Sequence, residues 1–485
     1  MTPFRLLVWI ASLAFLSVGA RNFEPGLSVD GPLYCTIARN IVRTGEWFYL
    51  YGGVPDFVPY AEHPHLGFWG LALWFKLFPM EDWAARIPGH LFYIGFLTLL
   101  FLFVRERSGE RVAVGTVILL WAWDRFSIYF SSVYLDPPAL FFGALFLFSL
   151  DRGFRLSRPW LGALAGAAAA MCTLVKGVTV CGFLPAAAGV CLWHGFQKRR
   201  NYWSTLGVGL AASVLPLAIY FLALRGSRVP NFVEIYWARQ IAGRFALMWT
   251  WSELWGSNFW FTLFKDTYFL LPLMGLIFLR KRRDLMDEYL IPIVCFITFV
   301  VLYAPIARIR SQYWMTLFPW IGWVISGGIS AVWRWKEQKA VRYSMGISLA
   351  AICMVQYLPF RTHPNLPPME SGVIRGYVQR GEAARLYFDY LPEWNEFSRS
   401  AAFAWYGDIR IEYADAARSV PSPEVGDVYL LFDDKPNKRL ALKKADWCVR
   451  DPFSRSSLWM GCQHFHPNLS RASAGTGIRP SLSSR

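Results

Sequence analysis

VDGPLYCTIARNIVRTGEWFYLYGGVPDFVPYAEHPHL, residues 29–66, follows directly on an apolar run from Phe4 to Ala20 of membrane-crossing character. Asp30, Glu62 and His63 within it can donate, accept or carry protons, and they lie among Tyr, Trp and Phe side chains of the kind that settle at a bilayer surface. A carboxylate just outside the hydrocarbon is expensive to desolvate, which marks Asp30 as a candidate for chemistry.

The rest of the chain has the same solvent. Of 485 residues, 55% are apolar, and the mean hydropathy of +0.31 places the protein among integral membrane proteins. A net charge of +16 does not indicate a nucleic-acid partner, because the Lys and Arg punctuate apolar runs instead of gathering on one soluble segment. Beyond the first run, spans are expected at 87–104, 112–123, 137–150, 160–175, 178–193, 204–224, 261–279, 289–304, 313–332 and 344–358, about eleven in all. The first reads as an uncleaved helix and not as a signal peptide, since a multi-span protein follows it.

Charge orients these spans. Basic clusters at Arg105 to Arg111, Arg152 to Arg158, Lys198 to Arg200, Arg280 to Arg283 and Arg334 to Arg342 fall in alternate connections, which puts those five loops in the cytoplasm. The opening loop with its juxtamembrane helices (21–86), residues 124–136, the Lys176 corner, the connection 225–260, residues 304–312 and everything after 361 are then external. In the connection 225–260, Phe232, Ile235, Trp237, Ile241 and Phe245 are expected to share an apolar side, with Arg239 and Arg244 polar, as in a helix lying in the headgroup plane.

The fold expected is therefore a polytopic α-helical membrane protein, with a transmembrane domain over 1–360 and a Pro-rich linker at 361–370. A small external α/β domain follows over 371–467, and the tail 468–485 is low in bulky residues. Strands are expected at Arg385 to Asp389, from Ile409 to Tyr413 and from Asp427 to Phe432, with a helix from Glu393 to Tyr406. Cys448 and Cys462 are the two cysteines able to pair in an oxidising compartment.

Ionisable side chains are nearly absent from the middles of the runs, where a proton-coupled transporter would carry them, and concentrate at the external ends. Asp30, Glu62 and Asp136 supply carboxylates; Lys176, Arg239, Arg244, Arg308 and Arg310 supply cations. A carboxylate to deprotonate a hydroxyl and cations to hold a phosphate are the equipment for transfer onto an alcohol from a phosphate-linked donor. The same charges can also pair as structural salt bridges. Asp30, Glu62 and Asp136 are ligand types for a divalent metal ion, though not at local metal-site spacing. A transporter or flippase of lipid-linked sugars is the rival reading, and a non-catalytic membrane scaffold a third.

The opening loop resembles the GT-C glycosyltransferases of the group holding the protein O-mannosyltransferases and the lipid A aminoarabinose transferase. Their pattern is an acidic pair, a Tyr, Ala-Arg, Gly-acidic-Trp and Tyr-x-Glu-Lys-Pro-Pro-Leu. Here stand Asp30, Tyr34, Ala38-Arg39, Gly45-Glu46-Trp47 and Tyr60-Ala61-Glu62-His63-Pro64-His65-Leu66. Leu174-Val175-Lys176-Gly177, Leu135-Asp136-Pro137 and the stretch from Ser311-Gln312-Tyr313 to Pro319 are similar to later motifs. The resemblance implies a polyprenyl-phosphate-linked sugar as donor and a hydroxyl-bearing glycan, lipid or protein as acceptor. It implies inversion, with Asp30 as general base. Lys176, Arg239, Arg244, Arg308, Arg310 and His63 would face the donor phosphate, while Tyr34, Glu62, Asp136 and Tyr313 would shape the acceptor side. Two positions depart from the pattern: Gly31 replaces the second acid, and His63 replaces a Lys, so an imidazole stands where the group has an ammonium.

Overall fold

The computed structural model describes residues 3–19, 26–27, 30–52, 59–197, 201–227, 229, 231–242, 282–303, 315–333, 369–380, 385–389, 404–407, 410–414, 427–432, 447–452 and 456–461. They divide into two units, one built from 1–51 and 59–366 and the other from 52–58 and 367–485.

The first unit is helical. The run at the start forms α1 (Pro3–Ala14), ending in a π-helical turn, Phe15–Gly19. The opening loop holds α2 (Gly31–Thr44) and α3 (Leu66–Leu77), both too short to cross a bilayer. Next come α4 (Asp82–Ser108), α5 (Glu110–Ala122), α6 (Asp124–Phe130), α7 (Asp136–Leu156), α8 (Pro159–Lys176), α9 (Leu184–Phe196), α10 (Tyr202–Arg225) and α11 (Phe232–Tyr236). A π-helical turn, Trp237–Ala242, continues α11. Then follow α12 (Arg282–Tyr303) and α13 (Phe318–Trp333). Among the described residues, three helical segments are long and apolar enough to cross a membrane: Asp82–Ser108, Pro159–Gly182 and Tyr202–Arg225. The expected runs 87–104, 112–123, 137–150, 160–175, 204–224 and 289–304 fall within α4, α5, α7, α8, α10 and α12 apart from one residue at the end of two of them. The run 178–193 differs: a 3-10 turn, Gly177–Gly182, occupies its start. The runs 261–279 and 344–358 lie outside the described residues.

Packing of the long helices follows from small side chains. Gly162 and Gly166, one turn apart on α8, face the Thr205 and Gly209 carbonyls of α10, where a Cβ would collide with backbone. This is the small-xxx-small device that lets helices approach within a membrane, where no hydrophobic force drives them together. α7 also packs along α8, and the two run antiparallel with a short connection, so the start of α7 meets the end of α8.

The other end of α7 carries a buried charge network. Asp151 pairs with Arg107, with Arg155 at 2.9 Å and with His194 at 3.1 Å, and Glu106 bridges Arg155 at 2.7 Å and Arg152 at 3.4 Å. Two of the expected basic connections thus meet at one end of the bundle, joined by the end of α9. From Asp136 to Asp151 the helix rises about 22 Å, which separates this network from the site below.

The second unit contains α14 (Met369–Gln379) and strands β1 (Arg385–Asp389), β2 (Arg410–Ala414), β3 (Asp427–Phe432), β4 (Trp447–Pro452) and β5 (Ser456–Gly461) in the order β2-β1-β3-β5-β4. β1 pairs in parallel with β2 and β3, while β5 runs antiparallel to β3 and β4. Val428, Tyr429 and Leu430 are buried in succession, so the central strand is covered on both faces. Of the helix expected at 393–406, only 404–406 falls among the described residues, and it is helical. Cys448 lies in β4, but Cys462 is outside the described residues, as is the tail.

Candidate active site

Asp30 ends up at the entrance to α2, buried at 8% exposure. Its carbonyl accepts the Tyr34 amide at 3.0 Å, while its carboxylate makes no capping bond to the helix. One turn on, Tyr34 is buried too, within electrostatic reach of the site's carboxylates. Burial first, then the charges of Asp30, Tyr60, Asp136 and Glu62, push Tyr34 well above the ordinary tyrosine range. The phenol therefore stays protonated and can act as a donor. Its ring packs edge-on to His63 at 6.2 Å and Phe68 at 5.4 Å, and Tyr60 lies against the same two rings at 6.3 and 5.5 Å.

α7 and α8 deliver the second half. Asp136 in the first turn of α7 and Lys176 at the last residue of α8 form a buried ion pair, each 6% exposed. Each sits at the helix end that suits its charge. α8 stops there because Gly177 takes a positive φ of 55°, and Tyr236 of α11 occupies the space where a side chain on Gly177 would go. The Tyr236 hydroxyl accepts the Val178 amide at 2.9 Å. Further along the same segment, Gln240 donates to the Glu62 carboxylate at 3.3 Å.

The loop that carries Glu62 and His63 is anchored at both ends. Gly45 closes α2 in the left-handed conformation, φ 74°, which accounts for the glycine before Glu46 and Trp47. Trp69 then donates to the Trp47 carbonyl at 2.6 Å. His65, 1% exposed, bonds the Phe48 carbonyl through Nε2 at 3.0 Å and the Tyr220 hydroxyl through Nδ1 at 2.6 Å. A carbonyl only accepts, so Nε2 carries the proton and Nδ1 accepts from Tyr220. Burial, opposed by the Phe48 bond, lowers the His65 pKa from 6.5 to about 4. The folded chain thus binds fewer protons than the unfolded one between pH 6.5 and 4. On the order of 3 kcal/mol of stability, intact above pH 6.5, is lost as pH falls through that window. Thermal midpoints in detergent should drop from pH 7 to pH 5, and by less in His65→Gln; equal drops would contradict this.

Beside Tyr34 opens an apolar cavity of about 500 Å3 between α3, α4, α7 and α8, with Leu71, Trp74, Phe92, Phe141 and Met171 among its walls. Gly70 also lines it, and a Cβ there would meet nothing within 4 Å.

The structure thus brings together Asp30, Tyr34, Glu62, His63, Asp136 and Lys176. Arg239 is exposed on the π-helical turn next to Gln240. Arg244, Arg308, Arg310 and Tyr313 lie outside the described residues. Trp237 does not share a side with Phe232: it is 59% exposed where Phe232 is 3%, because Phe232, Tyr236 and Gln240, four apart, take the inner face. Among the described residues no three His, Cys, Asp or Glu side chains gather as a metal-ion ligand set. Lys176 takes the Asp136 carboxylate and Gln240 bonds that of Glu62. Sequence reasoning assigned no role to His65, Tyr236 or Gln240. The signal for the last two is their spacing with Phe232, and for His65 it is an ionisable side chain one residue before an apolar helix.

Residues 62–222, from Glu62 into α10, match the family described as dolichyl-phosphate-mannose-protein mannosyltransferase. No curated protein matches the chain. Among solved structures it is similar to ArnT from Cupriavidus metallidurans bound to undecaprenyl phosphate, at 15% identity and a TM-score of 0.69, over 94% of this chain and 97% of that one. It is also similar to arabinofuranosyltransferase AftD from Mycobacteria, at 12% identity and 0.60, over 95% of this chain and 40% of that one. The oligosaccharyltransferase of Archaeoglobus fulgidus, in the apo form, is similar at 12% identity and 0.53, over 92% and 69%. At such identities the likeness is one of fold. Residues 62–222 thus resemble the dolichyl-phosphate-mannose-protein mannosyltransferase family, within a multi-pass membrane protein that shares the fold of these solved structures.

Proposed function

We propose that the protein is a membrane glycosyltransferase that moves a sugar from a polyprenyl phosphate to a hydroxyl of an extracytoplasmic lipid, glycan or protein. One observation carries the reading: buried Tyr34 feels the charges of both Asp30 and Asp136, the carboxylate paired with Lys176, and it lines an apolar cavity that could take a lipid chain. Asp30 takes the proton of the acceptor hydroxyl as that oxygen attacks the anomeric carbon, and the bond from carbon to the phosphate oxygen breaks with inversion. Lys176 and the Tyr34 hydroxyl face the departing phosphate in a setting of low dielectric, where their attraction counts for more than in water.

Charge bookkeeping adds a requirement. Asp30, Glu62 and Asp136 bring three carboxylates to the site, Asp136 is paired with Lys176, and an anionic donor is served by cations beyond that pair. Arg239, Arg244, Arg308 and Arg310 are the candidates, on connections that charge alternation places on the same side. The alternation also supports an inner-membrane location with the site and residues 371–467 outside.

Purified protein in nanodiscs, given a panel of polyprenyl-phosphate sugars, should release free polyprenyl phosphate with at least one of them and an added acceptor. Movement of intact donor across the bilayer without release would favour a transporter instead. The cavity makes a second expectation. Gly70→Leu adds a side chain at a residue that lines the cavity, in open space and at a helical position where Leu is preferred to Gly by about 1 kcal/mol. The donor KM should rise roughly 10-fold with no loss of thermal stability. An unchanged KM would place the lipid elsewhere.

A further inference from the structure

The segment Phe232–Ala242 lies across the site with a consistent inner face. Phe232 packs on His65, ring centroids 5.1 Å apart, and stacks on Tyr236 at 6.0 Å. Tyr236 holds the Val178 amide and fills the space over Gly177. Gln240 reaches Glu62 and is 8% exposed. On the outer face Val233 is 54% exposed. The π-helical turn at 237–242 is itself a rare geometry, frequent at functional sites.

We infer that Tyr236 and Gln240 are positioning residues, which tie the Lys176–Gly177 corner to the Glu62 loop and so set where the cation and the carboxylate stand relative to each other. The inference rests on the transfer reading above. Each contact has a defined job. The Val178 amide begins the turn after α8, and the Tyr236 hydroxyl bonds it while the ring over Gly177 holds the backbone that aims Lys176. A carboxamide orients Glu62 without cancelling its charge, as an arginine would, or adding to it, as an acid would.

Gln240→Glu separates this from a merely structural contact. Two carboxylates in hydrogen-bond range cannot both ionise cheaply, so at acid pH one keeps a proton and restores the donor that the amide supplied. The variant should match wild type at acid pH and lose roughly 10- to 100-fold in kcat/KM at neutral pH. Tyr236→Phe, which keeps the ring stack and removes one hydroxyl, should lose roughly 10-fold. In both variants backbone hydrogen exchange should quicken in 177–182 and 232–242. A Gln240→Glu pH profile superimposable on wild type, or unchanged exchange and kinetics in Tyr236→Phe, overturns the inference. Exchange that quickens as expected in a protein whose wild type releases no polyprenyl phosphate overturns the transfer reading and leaves the tie in place.

Discussion

Asp30→Asn is expected to cut sugar transfer by about 10²- to 10⁴-fold, the range for losing a positioned general base, while donor binding and thermal stability stay near wild type. The stability half of this expectation comes from the helix. Asp30 opens α2 without a side-chain capping bond, so at the helix end Asn forfeits the attraction between a negative charge and the helix dipole, about 0.3–1 kcal/mol, while it keeps the shape and hydrogen-bonding reach of the side chain. The chemistry half comes from burial, since a carboxylate kept at 8% exposure beside Tyr34 has a cost that α2 does not require. A variant that transfers at more than a tenth of the wild-type rate would remove Asp30 from the base role.

The second large effect concerns the buried pair. Asp136→Asn leaves the Lys176 ammonium buried without its carboxylate, and Lys176→Met leaves Asp136 as an uncompensated anion. Either should cost about 3–5 kcal/mol of stability, seen as a lower thermal midpoint in detergent. Asp136→Asn combined with Lys176→Gln removes both charges and should recover most of that loss, because neutral buried replacements of an ion pair are often near-neutral in stability. Transfer should stay strongly reduced in the double variant, since the Lys176 ammonium no longer faces the leaving phosphate. Recovery of stability and activity together would reduce the pair to a structural bridge.

Particular residues show how far a reading of residues alone reaches. Apolar runs located the long helices, because length and hydropathy are what a bilayer selects on, and Arg385 to Asp389 matched β1 residue for residue through simple alternation. β4 and β5 escaped notice. Pro452 and Asp451 spoil the pattern of β4, which tolerates them because it is the edge strand of the sheet. Juxtamembrane helices are expected in the opening loop, but the bounds of α3 were not legible: it is 12 residues long and follows a motif rich in Pro and His.

Within the site, Asp30, Glu62, Asp136 and Lys176 were legible as charge at the external ends of runs and Tyr34 through the family pattern, and the structure gathers them from α2, the motif loop, α7 and α8. Their pairing was not legible, since it depends on α7 and α8 lying antiparallel. Trp237 misled for a related reason. It fits an apolar helical side by spacing, yet the inner face belongs to the line through Phe232, Tyr236 and Gln240, and the indole is left outside. His65 carries a structural bond network that no composition signal distinguishes from a catalytic histidine.

The most direct test is a structure of the protein in nanodiscs with a polyprenyl phosphonate analogue of the donor, in which the cleaved bond is replaced. The account predicts the lipid chain in the cavity between α3, α4, α7 and α8, the phosphonate near Lys176 and the Tyr34 hydroxyl, and the anomeric carbon on the Asp30 side with room for an acceptor oxygen between them. A lipid bound elsewhere, or an anomeric carbon turned away from Asp30, would contradict it.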